Sequence, residues 1–155
     1  MANHIQRILI ANRGEIARRV MRTAHNMGIG TVAIYADGDA NEPFVSEADQ
    51  AISLDGASSL ETYLDQEKVI AAAKRAGADA IHPGYGFLSE NASFAKAVDD
   101  AGLIWIGPSP KAISEMGDKL SSKNMMTDAG VPTLPSAEAS ADADVIALGL
   151  SLIHI

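Results

Sequence analysis

Residues 7–15 read Arg7-Ile8-Leu9-Ile10-Ala11-Asn12-Arg13-Gly14-Glu15, and this stretch decides the fold. Its apolar start is typical of a buried β-strand, and its polar end is typical of a tight turn. From residue 16 to residue 27 the apolar positions recur with helical spacing, and a second apolar run at 31–35 completes a βαβ unit. Because such crossovers are right-handed and join parallel strands, the sequence predicts an α/β fold with a Rossmann-like parallel sheet.

The rest of the chain continues the alternation of strands and helices. Short apolar runs predict strands, and amphipathic or capped segments predict helices. The predicted strands cover 50–54, 78–81 and 103–106, the predicted helices cover 44–48, 65–76, 92–98, 109–116 and 119–129, and 37–43 is a polar loop. A change of composition near residues 107–110 predicts one domain over 1–108 and the start of another over 109–149. The apolar tail over 150–155 is atypical and suggests a truncated or misread chain end.

Composition narrows the range of functions. The chain has 155 residues, a formal net charge of −8 and no cysteine. The acidic balance argues against a general nucleic-acid or anionic-membrane surface. Without cysteine there are no disulfides, thiolate metal sites or cysteine nucleophiles, which fits a reducing compartment. The apolar runs are too short to cross a bilayer and the start lacks a secretory signal, so we expect a cytoplasmic protein without nucleic-acid or membrane partners.

The most distinctive motif is His82-Pro83-Gly84-Tyr85-Gly86-Phe87-Leu88-Ser89-Glu90-Asn91, which lies between a predicted strand and a predicted helix. In an open α/β sheet such a loop lies at the carboxyl end of a strand, where ligands bind. Gly84 and Gly86 permit backbone conformations and close approaches that side chains forbid. Tyr85 offers a flat amphipathic ring between them. The loop therefore predicts a site for a flat or extended ligand.

Within and before this loop, three polar features allow both a structural and a functional interpretation. Residues 12–15 form either an ordinary βα turn, which the pattern favours, or a helix N-terminus that presents a guanidinium to an anion. His82 could carry a proton or bind a metal, but no second ligand stands at metal-ligand spacing, so a structural histidine is favoured. Glu90 serves either the helix dipole or the site.

Two groups of basic residues also allow two interpretations, and for the arginines the pattern alone favours solvent. Arg18, Arg19 and Arg22 share one helix face, which either contacts a partner subunit or faces solvent. Lys119 and Lys123 lie four residues apart and either hold a phosphate chain or are solvated. The sequence contains neither a dinucleotide-binding glycine fingerprint after the first strand nor a P-loop.

Together these stretches resemble the N-terminal part of biotin carboxylase, the ATP-dependent component of acyl-CoA carboxylases and of pyruvate carboxylase. The resemblance covers about residues 5–135 and depends on three stretches in the family's order and spacing: 8–17, the loop 82–91, and Ile106-Gly107-Pro108 with Met116-Gly117-Asp118-Lys119. It implies that 1–108 form a Rossmann-like pre-ATP-grasp domain. Residues 109–149 would then be the first helices of a truncated ATP-grasp domain.

The resemblance implies a reaction and three site residues. Lys119 matches the lysine of the family's Met-Gly-Asp-Lys motif, which contacts ATP phosphate. Tyr85 and Gly86 match the tyrosine and glycine that lie beside biotin. The implied reaction is the ATP- and Mg²⁺-dependent carboxylation of the biotin N1 atom by bicarbonate, through carboxyphosphate.

The resemblance also implies partners. The family's first helix contributes to a dimer interface in bacterial members, which makes Arg19 and Arg22 candidates for contact with a second copy. His82 and Glu90 are weaker candidates within the active-site loop. The further partners implied are a biotin carboxyl carrier protein or domain and a carboxyltransferase subunit.

Several functional parts of the family have no match in this sequence: a second ATP-contacting lysine, the glycine-rich loop, the magnesium ligands, and the arginine and glutamate that serve bicarbonate and biotin. We therefore expect no catalytic residue and no metal ligand in these 155 residues, and no activity from this polypeptide alone. The alternative is a non-catalytic α/β module that binds a nucleotide or a partner, related to other pre-ATP-grasp ligases such as carbamoyl-phosphate synthetase. The acyl-CoA or keto acid finally carboxylated is chosen by a separate transferase and cannot be inferred.

Overall fold

The computed structural model describes residues 5–117 and 119–134, and for Lys119 the backbone alone. The chain divides into two compact units, Met1–Gly117 and Asp118–Ile155. The domains expected over 1–108 and 109–149 stay a prediction. The tail over 150–155 and Asp118 of the motif 116–119 lie outside the described residues.

Strands and helices alternate along the first unit, and one helix is described in the second. In chain order they are β1 (Arg7–Ile10), α1 (Gly14–Asn26), β2 (Gly30–Tyr35), a 3-10 helix (Asp37–Asp39), α2 (Pro43–Glu47), β3 (Gln50–Ser53), α3 (Gln66–Ala76), β4 (Ala80–His82), α4 (Ala92–Asp100), β5 (Ile104–Trp105), α5 (Pro110–Gly117) and, in the second unit, α6 (Lys119–Asp128). No helix among the described residues is long and apolar enough to cross a membrane.

The five strands form one parallel sheet in the order β3-β2-β1-β4-β5. Strand β1 is central, with Ile8 opposite Thr31 of β2 on one side and Ala80 of β4 on the other. The chain therefore leaves β1 toward one edge of the sheet and returns to build the other edge from β4. This reversal places the topological switch point between β1 and β4. The predicted α/β fold with a Rossmann-like parallel sheet is confirmed.

Both faces of the sheet are covered, which explains why its strands read as continuous apolar runs. Leu9 of β1 faces the cluster built with α3 and α4, whereas Ile8 and Ile10 face the cluster built with α1 and α2. Alternate side chains of one strand point to opposite faces, so β1 joins the two clusters. The sheet is thereby fixed from both sides, and the loops at its carboxyl edge start from rigid positions.

Local sequence signals set the helix ends. Asp65 and Asn91 cap α3 and α4, because their side chains accept hydrogen bonds from the backbone N–H groups of Lys68 and Phe94. The segment 37–43, expected to be a loop, instead contains the 3-10 helix and the start of α2. Proline at the first position of α2 suits that start, since its missing N–H would have no helical partner there.

Candidate functional site

The loops that follow β1 and β4 meet at the carboxyl edge of the sheet, at the switch point. A cleft of about 660 Å³ opens there. It is lined by residues of three loops, including Asn12, Arg13, Asp39, Tyr85 and Gly86. Open α/β sheets bind their ligands at this position. The structure thus places the loop 82–91 where the sequence predicted it.

Tyr85 and Gly86 present an open surface at this cleft. The Tyr85 side chain is 77% exposed. Gly86 has a φ of +70°, and a Cβ atom built there would meet nothing within 4 Å. The tyrosine ring and the adjacent backbone are therefore both accessible to a ligand. Neither lies in the interior.

The Asn12 side chain joins the two loops. It is 2% exposed, and its Nδ2 atom donates hydrogen bonds to the carbonyl oxygens of Pro83, at 2.9 Å, and of Tyr85, at 2.8 Å. Residues 12–15 form the turn between β1 and α1, and this turn also supports the neighbouring loop; an anion site at the start of α1 stays a prediction. The sequence pattern alone does not distinguish Asn12 from an ordinary turn residue. The sequence signal that could have identified Asn12 as a site residue is its position directly after a buried strand.

A second set of contacts joins the cleft to the loops after β2 and β3. We call Arg13, Asp39, Tyr63 and Phe87 the charged-aromatic cluster. Arg13 Nη1 lies 3.1 Å from Asp39 Oδ1, and the Tyr63 hydroxyl donates to Asp39 Oδ2. The Tyr63 ring stacks on Phe87 with centroids 5.0 Å apart and an interplanar angle of 13°. The cluster therefore holds the part of the loop that follows Gly86.

Tyr63 is protonated in this cluster. Burial, together with the hydrogen bond to the Asp39 carboxylate, raises the pKa of Tyr63 far above its ordinary value. The phenol therefore remains a donor to Asp39 and also accepts a hydrogen bond from the Ala36 N–H at 3.1 Å. Sequence reasoning missed this cluster because its four members come from four separate loops.

His82 shapes the base of the loop. Its ring is half-buried, and its Nδ1 atom accepts a hydrogen bond from the Gly84 N–H at 3.0 Å. An accepting Nδ1 atom requires the neutral ring with its hydrogen on Nε2. Burial lowers the pKa of His82 below its ordinary value, in agreement with a neutral ring. Residues 5–117 and 119–134 contain no group of three or more His, Cys, Asp or Glu side chains able to hold a metal ion.

This neutral histidine should make stability depend on pH. Because the pKa of His82 is lower in the folded than in the unfolded chain, the unfolded state binds the proton more readily. The stabilisation that the neutral His82 ring contributes is fully present above about pH 6.5. It is lost as the pH falls toward the pKa of His82 in the folded chain. We expect the stability difference between the wild type and His82→Gln to shrink between pH 7.5 and pH 5.5 in urea unfolding. An NMR titration that gives His82 an ordinary or raised pKa would contradict this.

Glu90 is not brought into the same cleft. Its side chain is exposed and lines a separate cleft of about 320 Å³ with Pro108, Ile113 and Met116. The loop 82–91 therefore turns Tyr85 and Glu90 toward different surfaces of the first unit. A role for Glu90 beside Tyr85 stays a prediction.

The arginines of α1 lie outside the cleft. Arg18 forms an ion pair with Glu47 of α2, with Nη2 and Oε1 2.6 Å apart, and the paired carboxylate raises the pKa of Arg18. Arg19 and Arg22 are exposed on the same helix, and neither forms an ion pair within the described part of the chain. They remain available for a partner. Lys119 lies at the start of α6, and its role in ATP binding stays a prediction.

The sheet order and the switch-point cleft define an open α/β domain of the Rossmann type, a class whose members bind ligands at the carboxyl edge of the sheet. Residues 4–113 match the family model described as the biotin carboxylase N-terminal domain. The chain belongs to this family.

Named relatives agree with this assignment. The chain is 52% identical over 139 residues to the biotin-dependent acyl-coenzyme A carboxylase alpha3 subunit of Mycobacterium leprae, covering 87% of this chain and 23% of that protein. It is 55% identical over 131 residues to the mitochondrial methylcrotonoyl-CoA carboxylase subunit alpha of Dictyostelium discoideum, covering 84% of this chain and 19% of that protein. The chain therefore spans about a fifth of the length of these relatives.

Solved structures show the same fold. The biotin carboxylase domain dimer of Hydrogenobacter thermophilus 2-oxoglutarate carboxylase superposes with a TM-score of 0.85 at 42% identity, covering 95% of this chain and 33% of that one. That structure is a complex with MgADP, ADP and bicarbonate.

Proposed function

We propose that this chain supplies the N-terminal domain of a biotin carboxylase, in which biotin is carboxylated by bicarbonate at the expense of ATP. One observation carries the proposal. The exposed Tyr85 ring and the open backbone of Gly86 are presented together at the switch-point cleft of a chain that belongs to this family. The non-catalytic module remains the alternative, and no specific contact favours it.

The surface at Tyr85 fits the head group of biotin. A ureido ring is flat and polar at its edge, and a tyrosine ring offers an apolar face with a polar tip. Gly86 has no side chain, so a flat ring can approach the backbone beside Tyr85. We therefore assign Tyr85 and Gly86 to biotin contact.

The contribution of this domain would be positioning rather than bond making. Holding a reactant in the productive geometry lowers the barrier by converting a bimolecular encounter into an effectively unimolecular step. The described residues contain no cluster that could hold Mg²⁺, so we assign no magnesium ligand to them. Lys119 is proposed to contact ATP phosphate, since an ammonium group binds phosphate as a compact charge.

The proposed assembly follows from the same family. Arg19 and Arg22 are exposed and are proposed to contact a second copy of the chain, as arginine suits interfaces. A biotin carboxyl carrier protein or domain would deliver biotin, and a carboxyltransferase subunit would use the product. A cytoplasmic location is proposed as well.

The test compares two proteins. The 155-residue polypeptide, mixed with free biotin, ATP, Mg²⁺ and bicarbonate, is expected to show no biotin-dependent ADP release. A chimera is made by replacing the matching segment of the Hydrogenobacter thermophilus biotin carboxylase domain with residues 5–134 of this chain. The chimera is expected to release ADP in response to biotin. An inactive but folded chimera would count against the proposed function.

Two variants of the chimera separate the proposed contacts. Tyr85→Ala is expected to raise the KM for biotin about 3- to 10-fold, from the loss of an aromatic contact. Lys119→Ala is expected to lower kcat/KM for ATP about 10- to 100-fold, from the loss of a charged hydrogen bond. Lys111→Ala is the control, because Lys111 is exposed and paired only weakly with Glu115 at 3.6 Å. Unchanged kinetics in Lys119→Ala would exclude the ATP contact.

A further inference from the structure

The buried side-chain amide of Asn12 makes three hydrogen bonds within the protein. Both hydrogens of Nδ2 go to loop carbonyls, one to Pro83 and one to Tyr85, and Oδ1 accepts from the Arg13 N–H at 3.0 Å. The two carbonyls require a donor between them, so the amide nitrogen must face the loop. Among short side chains, only an amide supplies two donors and an acceptor together.

The two acceptors flank Gly84, and this residue fits closely against Asn12. A Cβ atom at Gly84 would lie 2.7 Å from Asn12 Nδ2 and 2.9 Å from Asn12 Cβ, closer than real contacts allow. The φ of Gly84 is +68°, which also disfavours a side chain. The loop therefore cannot move toward Asn12, and moving away would break two hydrogen bonds from a buried donor. Residues 83–85 are held in one position relative to β1.

The loop receives little comparable support from its own backbone. Its described internal bonds run from the Gly84 N–H to His82 Nδ1, from the Ser89 N–H to the Gly86 carbonyl and from the Asn91 N–H to the Leu88 carbonyl. None of these three bonds reaches the peptide carbonyl of Tyr85. The Asn12 amide does, from the turn that follows β1, a strand whose side chains pack into the core on both faces. An exposed tyrosine thus stands on a backbone that is anchored to the centre of the sheet.

We propose that Asn12 is a positioning residue that fixes Tyr85 and Gly86 through the carbonyls on either side of Gly84. It lines the cleft but is only 2% exposed, so in this role it acts through the loop rather than by contact with a ligand. The expected effect of Asn12 on the KM for biotin rests on the proposed function, whereas its expected effect on amide exchange in the loop does not. The two parts can be measured separately.

The first measurement uses the 155-residue chain and amide hydrogen exchange. Asn12→Asp keeps the shape of the side chain but places an oxygen against two carbonyl oxygens. Exchange of residues 84–89 is expected to become about tenfold faster or more, since a buried acceptor pair loses its donor. Exchange in α3 should change much less. Asp65→Ala is the matched control, because it removes the α3 cap and should speed exchange in α3 rather than in the loop.

The second measurement uses the chimera and separates positioning from a merely structural role. If Asn12 positions Tyr85, Asn12→Asp raises the KM for biotin about 3- to 10-fold, as Tyr85→Ala does, and leaves the KM for ATP within about twofold. A purely structural role would lower the active fraction, and therefore kcat, with the KM for biotin unchanged. Loop exchange at the wild-type rate, or an unchanged KM for biotin in an active chimera, overturns the proposal. An inactive but folded wild-type chimera would count against the proposed function, and loop exchange in the 155-residue chain would still decide whether Asn12 positions the loop.

If Asn12→Asp does not fold, Asn12→Ala and Gly84→Ala test the same contact as a double-mutant cycle. Gly84→Ala alone should speed loop exchange about tenfold or more, because its methyl group collides with the Asn12 amide. In the Asn12→Ala background the same change should add only about threefold, since two of the three colliding atoms, Nδ2 and Cγ, are gone and only the Asn12 Cβ atom remains. Additive effects would overturn the proposal.

Discussion

Replacing Phe94 by alanine is expected to lower the free energy of unfolding by about 3–5 kcal/mol. The Phe94 side chain is 0% exposed, and its ring meets Trp105 edge-on with centroids 5.5 Å apart. Alanine would leave a cavity between α4 and β5 and remove the aromatic contact. Urea unfolding of the 155-residue chain, followed by the fluorescence of its single tryptophan, measures the loss.

Two controls show whether packing is the cause. Phe94→Leu keeps most of the volume and should cost about 1.5 kcal/mol or less. Lys96→Ala, on the exposed side of the same helix, removes an ion pair with Asp100 and should cost about 0.5 kcal/mol or less. If Phe94→Ala cost no more than these controls, α4 would not be packed against β5 as described. Because α4 begins where the loop 82–91 ends, its packing also fixes the far end of that loop.

The βαβ unit and the sheet type could be predicted from the sequence because their signals are local. The apolar run of β1 and the helical spacing of α1 are strong and adjacent, and parallel pairing follows from the crossover. The position of the Tyr85 loop followed as well, since a strand before it and a helix after it place it at the carboxyl edge. Element ends differ by one or two residues. Asp65, for example, proved to be a cap outside α3 rather than its first residue.

The contacts that hold the site could not be predicted from the sequence. Asn12 lies 71 residues from Pro83 along the chain, and only the strand order, which places β4 beside β1, brings them together. Periodicity gives the number and type of strands but not which strands are neighbours. The role of Asp39 could not be predicted for a different reason. A polar segment predicted as a loop gives no sign that the carboxylate of Asp39 accepts a hydrogen bond from a buried tyrosine.

Replacing Tyr63 by alanine should have a comparable effect on stability and a larger effect on the loop. Tyr63 is fully buried, so its loss is expected to cost about 3–5 kcal/mol in the free energy of unfolding. It also removes the ring on which Phe87 stacks. Phe87 has a φ of +44°, an unfavourable conformation for a residue with a side chain, which surrounding contacts must maintain. We therefore expect faster amide exchange at residues 86–89 as well as a lower urea midpoint.

Tyr63→Phe separates the ring from the hydroxyl. The stack on Phe87 is retained, whereas the Ala36 N–H and the Asp39 carboxylate lose their bonds to the phenol. A buried donor left without a partner costs about 1–3 kcal/mol, so this variant should be destabilised less than Tyr63→Ala. Loop exchange should stay near the wild-type rate, because Phe87 keeps its support. Equal loop exchange in both variants would show that the hydroxyl, and not the ring, holds the loop. The Asn12 amide would still bond the carbonyls of Pro83 and Tyr85, and the double variant Asn12→Ala/Tyr63→Phe, which removes both side-chain supports, should release the loop.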